Sequence, residues 1–359
     1  WSPLQLNLPI TPITDLKVHK GNLIAATSGR SFWILDDLNV LHQNGGNPNS
    51  FDILQPRSAY LAGGFSELNS SSENVDGAST YTGVNPANGI VLYYTLPKVK
   101  KTDELKLEVK DANGRLIRTV SSSKKKGFSG WGGGPPSKPT LTKNAGLNRF
   151  VWDMRHEIMP GVPGVYIEAG YRGHKAIPGR YKFTFMLNGK NVSADASIVA
   201  NPTYPTTAAE YAEFDSVMSS MEAEVTKMHN WINSFYRKQK QLEGVLKAMP
   251  KDAKFNAART RGDALLKKMK AWDEDMVQRK SQAYDDLENF PNTFPPEYLF
   301  VMNHSNSALP QINQPSKDRK AELDAQWIGL KQRAETLMKT EIPNFNAKLW
   351  EHGIGAIRM

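Results

Sequence analysis

The chain has 359 residues, no cysteine, 45 basic against 36 acidic side chains and 39% hydrophobic residues, with 22 Pro and 27 Gly. This is the composition of globular domains, two or three at this length, and it excludes collagen, coiled-coil rods and bulk disorder. Without cysteine there are no disulfides, thiolate metal sites or cysteine nucleophiles, and apolar runs such as Ile90–Leu96 and Tyr298–Met302 fall far short of the roughly 20 residues a membrane helix needs.

A start at Trp1, with no initiator Met and no basic region leading into an apolar stretch, reads as a mature or cleaved product or as part of a longer chain. From Ile13 to Leu35 three strand-like runs follow one another: Ile13–His19, Leu23–Thr27 and Phe32–Leu35. Turns of hairpin length at Gly21-Asn22 and Ser28-Gly29-Arg30 separate them. Three strands in so few residues predict an antiparallel meander, which is marginal alone and usually belongs to a larger sheet such as a propeller blade. Residues 42–89 are rich in Asn, Ser and Gly and read as an extended linker.

From Ile90 the pattern becomes strands again: Ile90–Leu96, Glu104–Lys110, Arg115–Ser121, Leu147–Met154, Arg180–Leu187 and Asn191–Val199. Asp111-Ala112-Asn113-Gly114 and Asn188-Gly189 supply turn residues that tolerate positive φ. About six strands between 90 and 200 predict a sandwich of the immunoglobulin or fibronectin kind. Trp152, Phe150, Tyr181, Phe183 and Phe185 are its expected core aromatics. After Pro202 and Pro205 the period changes to about 3.6. Tyr211, Phe214, Met218, Met221, Val225, Met228, Ile232 and Phe235 then line one face of a long helix. A second stripe runs from Phe255 to Leu287, the Pro-rich stretch 290–316 reads as a structured loop, and Leu323, Trp327, Leu330, Ala334 and Leu337 mark a third helix. Residues 206–359 therefore predict an antiparallel helical bundle. Trp231, Phe235, Trp327 and Trp350 exceed what three helices can bury, so the bundle is expected to pack against the β region or a partner.

Five segments carry a family resemblance. Pro12-Ile13-Thr14-Asp15-Leu16-Lys17-Val18-His19 and Thr27-Ser28-Gly29-Arg30-Ser31-Phe32-Trp33-Ile34-Leu35-Asp36-Asp37 resemble the final propeller blade of large bacterial proteins with a sortilin-like, Asp-box β-propeller, often labelled glycosyl-hydrolase-like. Asn148-Arg149-Phe150-Val151-Trp152-Asp153-Met154-Arg155, Pro178-Gly179-Arg180-Tyr181 and the stretch from Pro343-Asn344-Phe345-Asn346 to Gly353 are similar to later parts of the same family. The resemblance implies a last blade at 1–41, a linker at 42–89, a sandwich at 90–200 and a helical bundle at 206–359, with the rest of the propeller upstream. It also implies export to the periplasm, outer-membrane surface or extracellular space. Asp boxes of the form Ser-x-Asp-x-Gly-x-Thr-Trp do not occur here, so no propeller catalytic residue carries over.

Chemistry is sparse. The seven His never form an i, i+4 pair or His-x-His, so no metal site is expected, and no cofactor. The carboxylate runs Asp36-Asp37, Asp273-Glu274-Asp275 and Asp285-Asp286 offer an acid and a base in principle, but solvated faces and turn roles are the commoner use. Ser129 in Gly127-Phe128-Ser129-Gly130-Trp131 lacks the nucleophile-elbow spacing, and the run Gly130–Gly134 leads into Pro135-Pro136 instead of a phosphate-binding helix. Trp131 is either part of a flexible loop or an exposed stacking platform. Residues 1–206 carry a net +8 against +1 for 207–359. Within the first part Lys98, Lys100 and Lys101 with Lys124, Lys125 and Lys126 form a basic patch if their loops meet at one end. The patch lacks interleaved aromatics, so nucleic acid is not expected and an acidic protein or polysaccharide surface suits it better. Met218, Met221 and Met228 read as core, with an adaptable docking face as the alternative.

The sequence thus predicts a multidomain β-plus-α chain without a catalytic constellation. It would be a non-catalytic C-terminal region of an exported propeller protein, serving interaction, anchoring or assembly, with Trp131, Lys124, Lys125 and Lys126 as candidate binding surface. Its expected partners are the upstream propeller, on the same or a nicked chain, and other envelope proteins. The alternative is the accessory end of a carbohydrate-active hydrolase whose active site lies in the propeller.

Overall fold

The computed structural model describes residues 3–43, 50–61, 87–124, 127–128, 133–306 and 310–357. It contains three sheets followed by a helical C-terminal region. β1 (Ile13–His19), β2 (Asn22–Thr27) and β3 (Phe32–Leu35) form an antiparallel meander. A short helix α1 (Asn39–Gln43) follows it. Arg57 fastens the β1–β2 turn to the rest of the chain, donating to Asn22 Oδ1 (2.9 Å) and to the Lys20 carbonyl (2.6 Å).

The second and third sheets face each other across one core. One has the order β5-β11-β10-β7-β8, the other β4-β6-β9, with β4 (Asp52–Ile53), β5 (Ala59–Tyr60), β6 (Ile90–Leu96), β7 (Lys106–Asp111), β8 (Leu116–Ser121), β9 (Gly146–Trp152), β10 (Gly179–Leu187) and β11 (Lys190–Val199). All pairings are antiparallel except β5 with β11. Two of these strands lie in the stretch that composition marks as linker: β4 pairs with β6 and β5 with β11, so 52–60 belong to the sheets. The β10–β11 hairpin turns at Asn188-Gly189, both at positive φ (49° and 78°), which fixes the register from Leu187↔Lys190 to Gly179↔Ile198. Period 2 then sends Tyr181, Phe183, Phe185 and Leu187 inward, where they meet Tyr94 and Trp152 of the opposite sheet. Phe150, a residue expected in this core, is only half-buried at its edge.

The helices are α2 (Ala208–Ala248), α3 (Asn256–Met276), α4 (Asp286–Asn289), α5 (Phe294–Ser305), α6 (Gln314–Thr336) and α7 (Ile342–Glu351). α2 starts at a capping box: Thr207 accepts from the Glu210 N–H (3.2 Å) while the Glu210 carboxylate accepts from the Thr207 N–H (2.7 Å). All eight residues of its expected stripe are buried, so Met218, Met221 and Met228 are core. The Pro-rich stretch read as a loop contains α5, because Pro295 and Pro296 sit in a first turn where the missing N–H costs no hydrogen bond. The second stripe is likewise broken, with α3 ending at Met276 and Leu287 in the separate α4. Between α6 and α7 the chain widens into a π turn at Leu337–Glu341. Pro343, at the start of α7, has no N–H to continue the ordinary ladder. No helix among the described residues is long and apolar enough to cross a membrane.

The segment between β9 and β10 joins the two regions. Met159, Val162, Val165, Ile167 and Tyr171 pack into the same core as Phe214, Met218, Met221, Val225 and the other helices. Gly133 and Gly134, expected in a flexible loop, pack against Tyr166 of this segment and against Phe128. His229 of α2 is fully buried beside it, with Nδ1 2.7 Å from the Pro160 carbonyl. Burial, only partly offset by that hydrogen bond, lowers its pKa to about 4. Below the ordinary value of about 6.5 the unfolded chain takes up a proton that the folded chain refuses, so stability falls with pH. A loss of roughly 2 kcal/mol between pH 7 and pH 5 is expected from this group. Urea titrations of the native chain and of His229→Gln at both pH values check it, the variant lacking that component.

Candidate functional site

The β9–β10 segment and α2 bring together a polar cluster that no sequence spacing announces. Met154–His156 runs antiparallel to His174–Ala176: the Ala176 N–H donates to the Met154 carbonyl (2.7 Å) and the His156 N–H to the His174 carbonyl (3.0 Å). Gly173 makes this approach possible, since a Cβ there would lie 2.6 Å from the His156 carbonyl carbon and 2.7 Å from the Glu157 oxygen. The short ladder sets the two imidazoles face to face, centroids 3.9 Å apart and planes 24° from parallel.

α2 supplies two carboxylates seven residues apart, two turns along one side. Glu222 Oε1 accepts the His174 backbone N–H (2.6 Å) and lies 3.0 Å from His174 Nδ1. Asp215 Oδ1 lies 3.1 Å from His174 Nε2. Arg115, on the β7–β8 turn, reaches both oxygens of Asp215 (3.0 and 2.8 Å) and pairs with Asp111 (3.1 Å). His156 Nε2 stands 3.4 Å from Asp215 Oδ1, an ion-pair distance without hydrogen-bond alignment, so this buried nitrogen has no hydrogen-bond partner.

Environment separates the two rings. Burial works against the charged form of both. At His174 the hydrogen bonds and charges of Asp215 and Glu222 outweigh burial and raise the pKa, whereas His156 stays below the ordinary value with the His174 charge beside it. Burial also opposes ionisation of Asp215, but the histidines and Arg115 hold it well below the usual carboxylate range.

His156, His174 and Asp215 each offer one atom, all within 4.8 Å of one another, and form the one such group among the described residues. Two imidazoles bound to one tetrahedral ion with Zn–N bonds of about 2.0–2.1 Å hold their centroids about 5 Å apart. At 3.9 Å the stacked pair is too close for that, and Arg115 already occupies Asp215. The arrangement suits a proton shared among rings and carboxylates better than a metal ion.

Lys124 is exposed after β8, and Ser122 pairs with Leu105. The exposed Lys98, Lys100 and Lys101 of the β6–β7 connection therefore lie at the same end of the sheets as Lys124. Lys125, Lys126, Ser129 and Trp131 lie outside the described residues. Three members of the carboxylate runs are engaged locally. Arg279 grips the buried Asp273 at 2.5 and 2.7 Å, Arg333 pairs with Asp275, and Asp286 accepts the N–H groups of Gln282 and Ala283. At the end of β3 the Asp37 N–H donates to Asn22 Oδ1, while its own carboxylate Oδ1 is buried without a hydrogen-bond partner. A cleft of about 620 Å³ lies elsewhere, lined by Tyr166, Phe290, Phe300 and Glu297, whose carboxylate is held by Arg319 (2.6 Å). Comparison with protein-family models, with curated proteins and with solved structures finds no match to the chain.

Proposed function

We propose that this chain is the non-catalytic C-terminal region of an exported β-propeller protein and serves interaction, anchoring or assembly. In this reading β1–β3 is the last blade, the two facing sheets are an immunoglobulin- or fibronectin-like sandwich, and the helices form a bundle that holds the sandwich in one orientation. The observation that carries it is the N-terminal meander. Ala25 is its one buried hydrophobic residue, whereas Leu16, Val18, Phe32 and Ile34 are 58–74% exposed. Three strands with apolar side chains open on both faces and with free edges call for further sheet to cover them.

The expected partners are then the upstream propeller, on the same or a nicked chain, and envelope proteins. The lysines gathered at one end of the sheets suit an acidic surface. The interaction role also accords with Asp273, Asp275 and Asp286, whose carboxylates are tied up in ion pairs and turn contacts.

The test compares the full chain with one beginning at Ser50, by apolar-dye fluorescence and sedimentation. The full chain is expected to bind dye and self-associate. The shortened chain is expected to do neither and to keep its thermal midpoint within about 2 °C, which is on the order of 1 kcal/mol for a chain of this size. A monomeric, dye-silent full chain sinks the reading.

A further inference from the structure

We propose that His174 is carried as an imidazolium clamped between Asp215 and Glu222, and that this buried proton joins the β9–β10 segment to α2, so that the joint loosens when the proton is lost in alkaline solution.

The geometry leaves a neutral ring no satisfactory tautomer. Glu222 Oε1 stands 3.0 Å from Nδ1 and Asp215 Oδ1 stands 3.1 Å from Nε2. A neutral imidazole has one N–H and one lone pair, so whichever nitrogen lacks the proton turns its lone pair on a carboxylate oxygen at hydrogen-bond distance. Only the doubly protonated ring donates to both. His174 is 0% exposed, so water does not relieve the conflict.

The charges around the ring agree. From α2 come Asp215 and Glu222, and among the described residues the cation paired with Glu222 is His174. From the β7–β8 turn comes Arg115, on the far side of Asp215, with Asp111 behind it. From the segment itself comes His156, stacked on the ring and neutral. Beside it Arg155 donates to the Gly173 carbonyl (3.0 Å), Lys175 to the Asp153 carbonyl (2.8 Å), and Asp153 pairs with Arg118 (2.9 Å). Phe214 closes the remaining side edge-on. Asp111, Asp215 and Glu222 thus set three carboxylates against the one guanidinium of Arg115, and a proton on His174 offsets part of that excess negative charge.

The direction of the pH effect follows. The folded-state pKa of His174 is raised by its two carboxylates despite burial. Its contribution is therefore complete below the unfolded value of about 6.5 and is lost as pH rises through the folded value. The loosening is local, because Asn233 bonded to the Gly161 carbonyl (2.9 Å) and the Tyr166 N–H bonded to the Ser281 carbonyl (2.8 Å) hold the middle of the segment independently.

The test is a histidine NMR titration of the full chain from pH 6 to pH 9, with thermal unfolding from pH 7 to pH 9, above the range in which His229 changes stability, on the native sequence and on Glu222→Gln. In the native chain the His174 ring is expected to titrate above about 6.5. The melting temperature should fall as pH rises through that midpoint, and in the variant both transitions should shift to lower pH. Should Glu222→Gln fail to fold, the native titration decides alone. A His174 ring already neutral at pH 6, or a melting temperature flat across the range, overturns the proposal. So does stabilisation by one equivalent of Zn2+ at pH 8 that EDTA reverses, which would assign the cluster to a metal.

Discussion

Replacing Trp152 by Ala is expected to remove about 3–5 kcal/mol of stability, because the indole fills space that the surrounding rings cannot recover by collapse. Trp152 is 1% exposed and lies against Tyr181 (5.2 Å between centroids) and Phe183 (5.6 Å). Its Nε1–H also donates to the Arg155 carbonyl (3.1 Å), so the same side chain ties the core between the sheets to the turn from which His156 projects. Trp152→Phe keeps most of the burial and loses the donor, and should cost less. Urea titration measures both, and a loss below about 1 kcal/mol for the Ala variant would mean that this core tolerates the cavity.

How much of the fold could be read from sequence depends on whether structure was specified locally. Asn188-Gly189 between alternating apolar residues dictates a hairpin, and the stripe from Tyr211 to Phe235 dictates a helix, because both signals lie within one element. The strand ends moved by at most two residues, as at Gly146–Trp152 and Lys106–Asp111. The Pro-rich stretch misled because Pro breaks a helix only in its interior, and Pro295-Pro296 stand in a first turn. Strands β4 and β5 are two residues each, too short for a period of 2 to show.

The polar cluster was not legible for a related reason. His156 and His174 stand eighteen residues apart in a segment with no regular period, and only the non-local ladder between Met154 and Ala176 sets them side by side. The carboxylates left a faint trace. Asp215 follows Phe214 and Glu222 follows Met221, so each lies one residue past the buried stripe, and Glu222 is itself buried. A carboxylate at that position needs a partner from another element, and the sequence does not say which.

Asp215→Ala should be nearly as damaging as the loss of Trp152, at about 3–5 kcal/mol, because it removes one partner from a buried ionic network and leaves the others uncompensated. Asp215 is the one acid shared by the β7–β8 turn, through Arg115, and by the β9–β10 segment, through His174. Its loss leaves His174 with Glu222 alone and leaves Arg115 only a long bond to Ser219 (3.5 Å) as its tie to the helix, so both links between α2 and the sheets weaken together. Asp215→Asn keeps the shape and part of the hydrogen bonding but not the charge, and should fall between the two. Burial opposes the charged form of Asp215, but its histidine and arginine partners depress its pKa strongly. Its contribution is thus complete above the ordinary aspartate value of about 4 and is lost as pH falls toward the folded value. The native chain should therefore lose stability in acid below about pH 4 by a component that Asp215→Ala lacks. Urea titrations at pH 7 and pH 3 on the native chain and both variants measure this. Parallel pH dependence in all three, or a loss below about 1 kcal/mol at pH 7, would show that water replaces the carboxylate and that the apolar core alone joins the two regions.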